Sequence, residues 1–387
     1  MPRKYKTPST SIEEIRRRID QQFEDAAFAC LRGIFLTVLQ DHDEAVQLGT
    51  MPAFGAIENL LSRYESLFTS RPSDRFVLDS WLIQNLAEGW SLGNVKLPNT
   101  ILPVYGNEWM WQRLPWFEQP DGAGHRIYGI TLKGRNQLSS VRLLEYPWIC
   151  HELGHGLFSR CPAQFLQEFV DIVDHHCRPI LRKAFSDSPE ARGLTRDHVA
   201  RLRQCWLPRG DQQSWIHELA VDFIALWSLG PAFLAAMTDF GESPQIDPFI
   251  VDSSHPPYSL RIGMLADCAK FLGWEKEAAP LAHLAMQWES RKLGLQNHNL
   301  IVGLTPAELA KEATTWIISG CRSWKIPRCD REILRTISER RSNRLPVDSA
   351  TELIISAWLL FEENQETYPT WESLTLRSLC AELNGNA

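Results

Sequence analysis

The chain has 387 residues, of which 44% are hydrophobic and 22% are charged, a composition typical of a globular protein with room for two or three packed units. Its formal charge of −7 offers no long-range attraction to nucleic acid or to an anionic membrane. No segment approaches the roughly 20 apolar residues of a membrane span, and the N-terminus lacks the apolar core of a signal peptide. The nine cysteines are scattered without a CxxC pair, which argues against a disulfide framework and indicates a reducing, cytoplasmic location.

The N-terminal part of the chain is predicted to be helical. Thr10 and Glu13 have the spacing of a capping box, and apolar residues then recur every three or four positions as far as Val38. Gly, Asn and Pro residues between 89 and 103 interrupt the helical pattern. Helices are therefore predicted over 12–38, 56–68 and 74–88.

The pattern changes at residue 101. Segments 101–105 and 125–132 are predicted to be short strands, separated by a loop rich in Pro, Gly and Asp. The strand at 125–132 could bind an extended peptide along its edge. From Pro147 onward the pattern is helical again, with Pro at a first-turn position. Helices are predicted over 147–159, 163–186, 195–206, 212–227 and 257–272, and helical patterns continue to the C-terminus.

These elements predict a mainly α fold with a small β-sheet, of the α+β class. The changes in pattern place boundaries near 95 and 275. They divide the chain into an N-terminal helical region over 1–95, a central domain over 96–274 and a C-terminal helical region over 275–387. The two flanking regions match no motif, and their helices could dock a protein partner.

The segment His151-Glu-Leu-Gly-His155 is an HExxH motif on a predicted helix. Residues four apart lie one turn apart on the same face, so both imidazoles can point at one ion. Neutral imidazole suits Zn²⁺, and two histidines leave room for a third protein ligand and a water. Glu152 lies beside the ion without binding it, and it can take a proton from a water whose pKa the metal lowers toward ~7. The motif therefore predicts one zinc ion on His151 and His155, with Glu152 as the general base.

The third protein ligand must come from elsewhere in the chain. The metzincin pattern HExxHxxGxxH fails here, because Phe158 and Cys161 stand where Gly and the third His belong. Glu218 and Asp222 lie on one face of a later apolar helix, where two carboxylates are expensive to bury unless they have partners. We expect Glu218 to bind the ion and Asp222 to accept a hydrogen bond from a ligand imidazole. His217 is a rival ligand, but it points about 100° away from Glu218 around the helix.

Three sequence blocks follow one another: HELGH from 151, HELAVD from 217 and HPPYSLRI from 255. In this order they resemble the gluzincin family of the CaaX prenyl endopeptidase and the heat-shock peptidase HtpX. The resemblance implies a zincin-like catalytic core within 96–274 and a zinc metallopeptidase acting on a peptide or protein. It also implies that His255 lies near the cleft as a donor to an oxyanion and that Arg261 braces the site. The sequence lacks the spanning helices of the membrane members, so prenyl-protein processing is not implied.

Other interpretations stay open. A tyrosine could supply a further oxyanion donor, the candidates being Tyr128, Tyr146 and Tyr258. His175 and His176 could form a second metal site, although neighbouring residues on a helix diverge and a surface role is favoured. The protein could also be a metal-binding scaffold with little hydrolytic activity, which the intact Glu152 disfavours. A third hypothesis is an interaction protein in which the flanking helices matter most and the HExxH motif is vestigial.

Overall fold

The computed structural model describes residues 12–22, 32, 36, 39–40, 73–92, 95–97, 101–113, 128–135, 137–158, 164–184, 205–206, 214–243, 246–250, 255–291, 307–343 and 345–385. The helices are α1 Ile12–Gln22, α2 Asp74–Ala87, α3 Trp148–Phe158, α4 Gln164–Ala184, α5 Trp215–Leu229, α6 Pro231–Glu242, α7 Tyr258–Phe271, α8 Ala279–Arg291, α9 Ala307–Trp324, α10 Arg331–Ser342, α11 Ala350–Glu363 and α12 Tyr368–Gly385. The strands are β1 Ser91–Leu92, β2 Val95–Lys96, β3 Ile101–Gly106, β4 Met110–Arg113 and β5 Tyr128–Lys133. The described part of the chain is therefore mainly helical with little sheet, which confirms the predicted fold class at that level.

Most predicted helices within the described residues are confirmed, with small shifts at their ends. They are the helices predicted over 74–88, 147–159, 163–186, 212–227 and 257–272. The helix predicted over 56–68 lies outside the described residues, as do 23–31 and 195–204 of two further predicted helices. Helix α6 was not predicted; it begins at Pro231, directly after Gly230 turns the chain with a φ of 52°.

The chain forms two compact units. The first takes its described residues from Met1–Asn85, Pro98–Val141 and Pro369–Ala387, and the second from Leu86–Leu97 and Arg142–Tyr368. The boundaries predicted near 95 and 275 stay predictions. Among the described residues, no helix is both long enough and apolar enough to cross a membrane.

The first unit contains a three-stranded sheet in the order β3–β5–β4. Strand β5 is parallel to β3, with Ile101 opposite Tyr128, and antiparallel to β4, with Met110 opposite Thr131. It is therefore the central strand, paired on both sides over 128–131. The prediction that a peptide could add along the edge of this strand is wrong, because β3 and β4 already use both of its edges.

A buried ion pair ties α2 to this sheet. The Nε of Arg75 donates to Asp79 Oδ2 at 3.1 Å, and its Nη2 donates to the carbonyl oxygen of Lys133 at 3.0 Å. The Tyr105 hydroxyl donates to Asp79 at 3.0 Å. Arg75 and Asp79 are almost completely buried, so these hydrogen bonds satisfy charges that would otherwise destabilise the fold.

The core of the second unit is built around α5. Every residue of this helix except His217 is buried, as expected for a helix that is apolar on all sides. Helix α3 packs along it, and α4 and α9 cover it with a stack of Phe169 on Trp316, whose ring centroids lie 4.7 Å apart. The Trp227 indole donates to the carbonyl oxygen of Ile326 at 3.2 Å, which satisfies its buried N–H.

Candidate metal centre

Helix α3 presents both histidines of the HExxH motif toward one point. The Nε2 atoms of His151 and His155 lie 3.2 Å apart. Two ligands at about 2.0–2.1 Å from one tetrahedral ion would be roughly 3.3 Å apart, so this separation fits joint binding of a single ion. His151 is 4% exposed, and His155 is partly exposed.

Helix α5 adds the predicted carboxylate to this pair. An oxygen of Glu218 lies 3.2 Å from His155 Nε2, and the other lies 3.6 Å from His151 Nε2. Glu218 is 2% exposed, so its charge needs a buried partner. His151, His155 and Glu218 thus form a group that could hold a metal ion, and it is the sole such group among the residues that the structure describes.

A glycine sets how closely α3 and α5 approach. A Cβ added to Gly154 would lie 2.9 Å from Val221 Cγ1 and 3.0 Å from Val221 Cβ, closer than side chains normally pack. Residue 154 lies between the two histidine ligands, and Val221 lies one turn after Glu218. The missing side chain therefore lets the two helices approach closely where the three ligand groups meet.

Asp222 links His151, a member of the candidate metal-binding group, to a buried arginine. Arg261 Nε donates to Asp222 Oδ2 at 2.8 Å, and Arg261 Nη2 donates to Asp222 Oδ1 at 2.7 Å, a bidentate pair. The same Oδ1 lies 2.9 Å from His151 Nδ1. At that distance the Asp222 carboxylate can accept the Nδ1–H of the tautomer that leaves Nε2 free.

The basic groups of this cluster stabilise the ionised forms of its two buried carboxyl groups, Glu218 and Asp222. Burial opposes ionisation of Glu218, but its hydrogen bond with His155 and the positive charge of Arg261 hold the pKa of that carboxyl below its usual range. Burial likewise opposes ionisation of Asp222, and Arg261 and His151 lower its pKa. Both carboxyl groups are therefore ionised at neutral pH, which gives the site negative charge for a cation.

His155 responds to the same carboxylates. Burial alone would lower its pKa, but the hydrogen bond and charge of Glu218, together with the charge of Glu152, raise that pKa above the usual value. Without a metal, Glu218 thus favours a proton on His155. A bound cation would replace that proton as the partner of Glu218.

The two predicted catalytic side chains lie on this cluster. Glu152 follows His151 on α3 and is 6% exposed. His255 lies just before α7, with Nε2 3.7 Å from an oxygen of Glu218 and a side chain that is 56% exposed. The structure therefore brings a buried carboxylate and a solvent-accessible imidazole to the group that could hold a metal ion.

The rival candidates lie elsewhere. His217 points to Ser214, with Nδ1 3.1 Å from the hydroxyl oxygen, and burial lowers its pKa. The Tyr258 hydroxyl donates its proton to the carbonyl oxygen of Met237 on α6 at 3.1 Å, and so it does not donate toward His151, His155 and Glu218. His176 lies 3.2 Å from Glu312 of α9, an ion-pair distance.

Sequence reasoning missed two residues that shape the centre. Gly154 could have been recognised as a glycine in the body of an apolar helix, a position that usually has a packing reason. Trp148 lies three residues before His151 on the same face, and its ring meets the imidazole edge-on with centroids 5.4 Å apart. That indole restricts the rotation of the His151 ring.

No family model matches the chain, and comparisons with curated proteins and with solved structures found no match. The resemblance to the gluzincin family therefore stays a prediction.

Proposed function

We propose that the protein is a zinc-dependent peptidase of the gluzincin kind, with one zinc ion bound by His151, His155 and Glu218. The observation that carries this proposal is the convergence of two imidazoles and one buried carboxylate, with a second carboxylate on the residue after the first ligand. The order of the HELGH, HELAVD and HPPYSLRI blocks supports it by resemblance.

Zinc suits this set of ligands. Two imidazoles and one carboxylate supply three protein ligands, and a catalytic zinc site keeps its fourth position for water or substrate. The cysteines Cys150 and Cys268 are buried with raised thiol pKa values, so neither supplies a ready thiolate. A bound zinc ion would supply Lewis acidity toward the scissile carbonyl and acidify a water.

The remaining side chains then have separate roles. Glu152 takes the proton of the attacking water and passes it to the leaving amine. His255 is exposed beside Glu218 and donates to the oxyanion that develops on the carbonyl. Asp222, fixed by Arg261, holds the ring of His151 in place.

The substitution Glu152→Gln tests this proposal. It preserves the shape of the side chain and removes the base, so the purified variant should bind one zinc per chain and lose at least about 100-fold in turnover of casein or a peptide library. Glu168→Gln, at an exposed position of α4, is the matched control and should keep full activity. Zinc content is measured on the same samples.

Three results would count against the proposal. Equal cleavage by Glu152→Gln and the parent would reject Glu152 as the base. A parent that binds one zinc but cleaves no peptide would favour a metal-binding scaffold. Less than about a tenth of an equivalent of zinc would favour an interaction protein.

A further inference from the structure

A second concave site lies in the second unit, away from the metal ligands. It is an open cavity of about 440 Å³ between α6, the start of α8 and α11. Its walls are mostly apolar and aromatic: Leu144, Pro231, Ala235, Ile354, Trp358 and Phe361. None of the residues assigned to the metal centre lines it. Small-molecule sites span about 300–1,000 Å³, so the cavity is large enough for a compact organic ligand.

The charged groups on the cavity are unevenly balanced. They are Asp239, Lys276, Glu277 and Glu362. Glu277 is paired with Arg331, whose Nη2 donates to it at 2.8 Å. The remaining charged groups that line the cavity are two exposed carboxylates, Asp239 and Glu362, and one exposed ammonium, Lys276.

The carboxylates around Asp239 repel one another. Burial raises the pKa of Asp239, and the negative charges of Glu242, Glu145 and Glu362 raise it further. Every charged group that shifts this pKa is therefore another carboxylate. A cation in the cavity would relieve the repulsion, whereas an anion would increase it.

We propose that this cavity binds a small organic amine with an aromatic or alkyl body. The ammonium group would lie between Asp239 and Glu362, and the apolar body would lie against Trp358 and Phe361. Half-buried aromatic walls combined with carboxylates favour organic cations, because the ring faces and the carboxylates both attract positive charge. An uncharged ligand would gain the apolar contacts but not the ion pair.

Isothermal titration of the full-length protein with three indoles tests the charge requirement. Tryptamine is a cation, tryptophol is neutral and indole-3-propionate is an anion, while the ring is the same. Tryptamine should bind with a millimolar or lower Kd, about tenfold or more below that of tryptophol, and indole-3-propionate should bind most weakly. Equal binding of the three, or no heat from tryptamine up to about 10 mM, would overturn the proposal.

Substitutions of residues that line the cavity test whether tryptamine binds there. The double substitution Asp239→Asn with Glu362→Gln should raise the Kd for tryptamine about tenfold or more, and Trp358→Ala should also weaken binding. Glu366→Gln changes an exposed carboxylate that does not line the cavity and should leave the Kd unchanged. Thermal unfolding of each variant verifies its fold. Unchanged tryptamine binding in the folded double variant would overturn the assignment.

Discussion

Asp222 connects His151 with Arg261, two buried residues whose proximity no spacing in the sequence predicts. Its carboxylate accepts two hydrogen bonds from Arg261, which is 39 residues away, and lies 2.9 Å from His151. The four-residue spacing from Glu218 predicted that Asp222 would support a ligand imidazole. The bidentate arginine was implied only by resemblance, because long-range pairing depends on how α5 and α7 pack.

The substitution Asp222→Asn should weaken zinc binding by about 10–100-fold. Asparagine keeps the size of the side chain but loses the charge that holds the His151 ring and stabilises the bound metal. Competition with a chromophoric chelator measures the zinc affinity, and thermal unfolding without zinc separates this effect from loss of fold. Asp267→Asn, an exposed change on α7, should leave zinc affinity unchanged. Equal affinities in the two variants would show that Asp222 does not support the metal.

Residue spacing along a helix predicted some of the side-chain contacts at the site but not others. The repeat of three and four along a helix brought His151 and His155 together, and the burial cost of a carboxylate singled out Glu218 over His217. The hydroxyl of Tyr258 could not be assigned in this way. Its donation to Met237 depends on the packing of α6, a helix that the sequence did not predict.

Among the secondary-structure elements, α3 and α5 together form the proposed metal centre, which therefore depends on how these two helices pack. Both helices are buried on almost every side, so neither has an exposed face that would fix its rotation. Contact between Gly154 and Val221 sets their separation instead. A small change in the distance between the two helices would move His151 and His155 relative to Glu218.

The substitution Gly154→Ala should lower the free energy of unfolding by about 1–3 kcal/mol and weaken zinc binding, because the new Cβ overlaps Val221. The control is Gly263→Ala on α7, where a Cβ meets nothing within 4 Å. That change should be neutral or stabilising by up to about 1 kcal/mol. Denaturant unfolding and chelator competition measure the two effects.

A second substitution tests the cause. Combining Gly154→Ala with Val221→Gly removes both atoms that the new Cβ would overlap, Val221 Cγ1 and Cβ, and should restore most of the zinc affinity. If the double variant binds zinc no better than Gly154→Ala, the contact with Val221 is not what positions the ligands.

The elements differ in how far the sequence predicted them. Helix α4 carries many turns of apolar periodicity and α5 a long apolar run, so both helices were predicted and only their ends shifted. Strand β4 has four residues and the pair β1–β2 has two residues each, too few for an alternating pattern. The central position of β5 was also hidden, since pairing order depends on contacts between distant segments.

At the scale of the whole molecule, all three proposed ligands belong to one compact unit, Leu86–Leu97 with Arg142–Tyr368. They lie on two helices that both belong to its core, and His155 precedes Glu218 by 63 positions in the sequence. A metal that binds only the folded arrangement must stabilise this unit by mass action.

Zinc should therefore raise the melting temperature of the metal-free protein. At a free zinc concentration of 100 times Kd, the stabilisation is about 2.7 kcal/mol. Differential scanning calorimetry measures the increase, and addition of EDTA should reverse it. His155→Ala should lose most of it, whereas His283→Ala, at an exposed position of α8, should keep it. The same increase in both variants would place the zinc elsewhere.

Zinc K-edge X-ray absorption of the protein loaded with one equivalent tests the three-ligand centre most directly. We expect nitrogen and oxygen neighbours at about 2.0–2.2 Å, with outer-shell scattering from two imidazoles that drops to one imidazole in His155→Ala. Sulfur neighbours at about 2.3 Å, or a spectrum unchanged by His155→Ala and by Glu218→Gln, would contradict a zinc ion held by His151, His155 and Glu218.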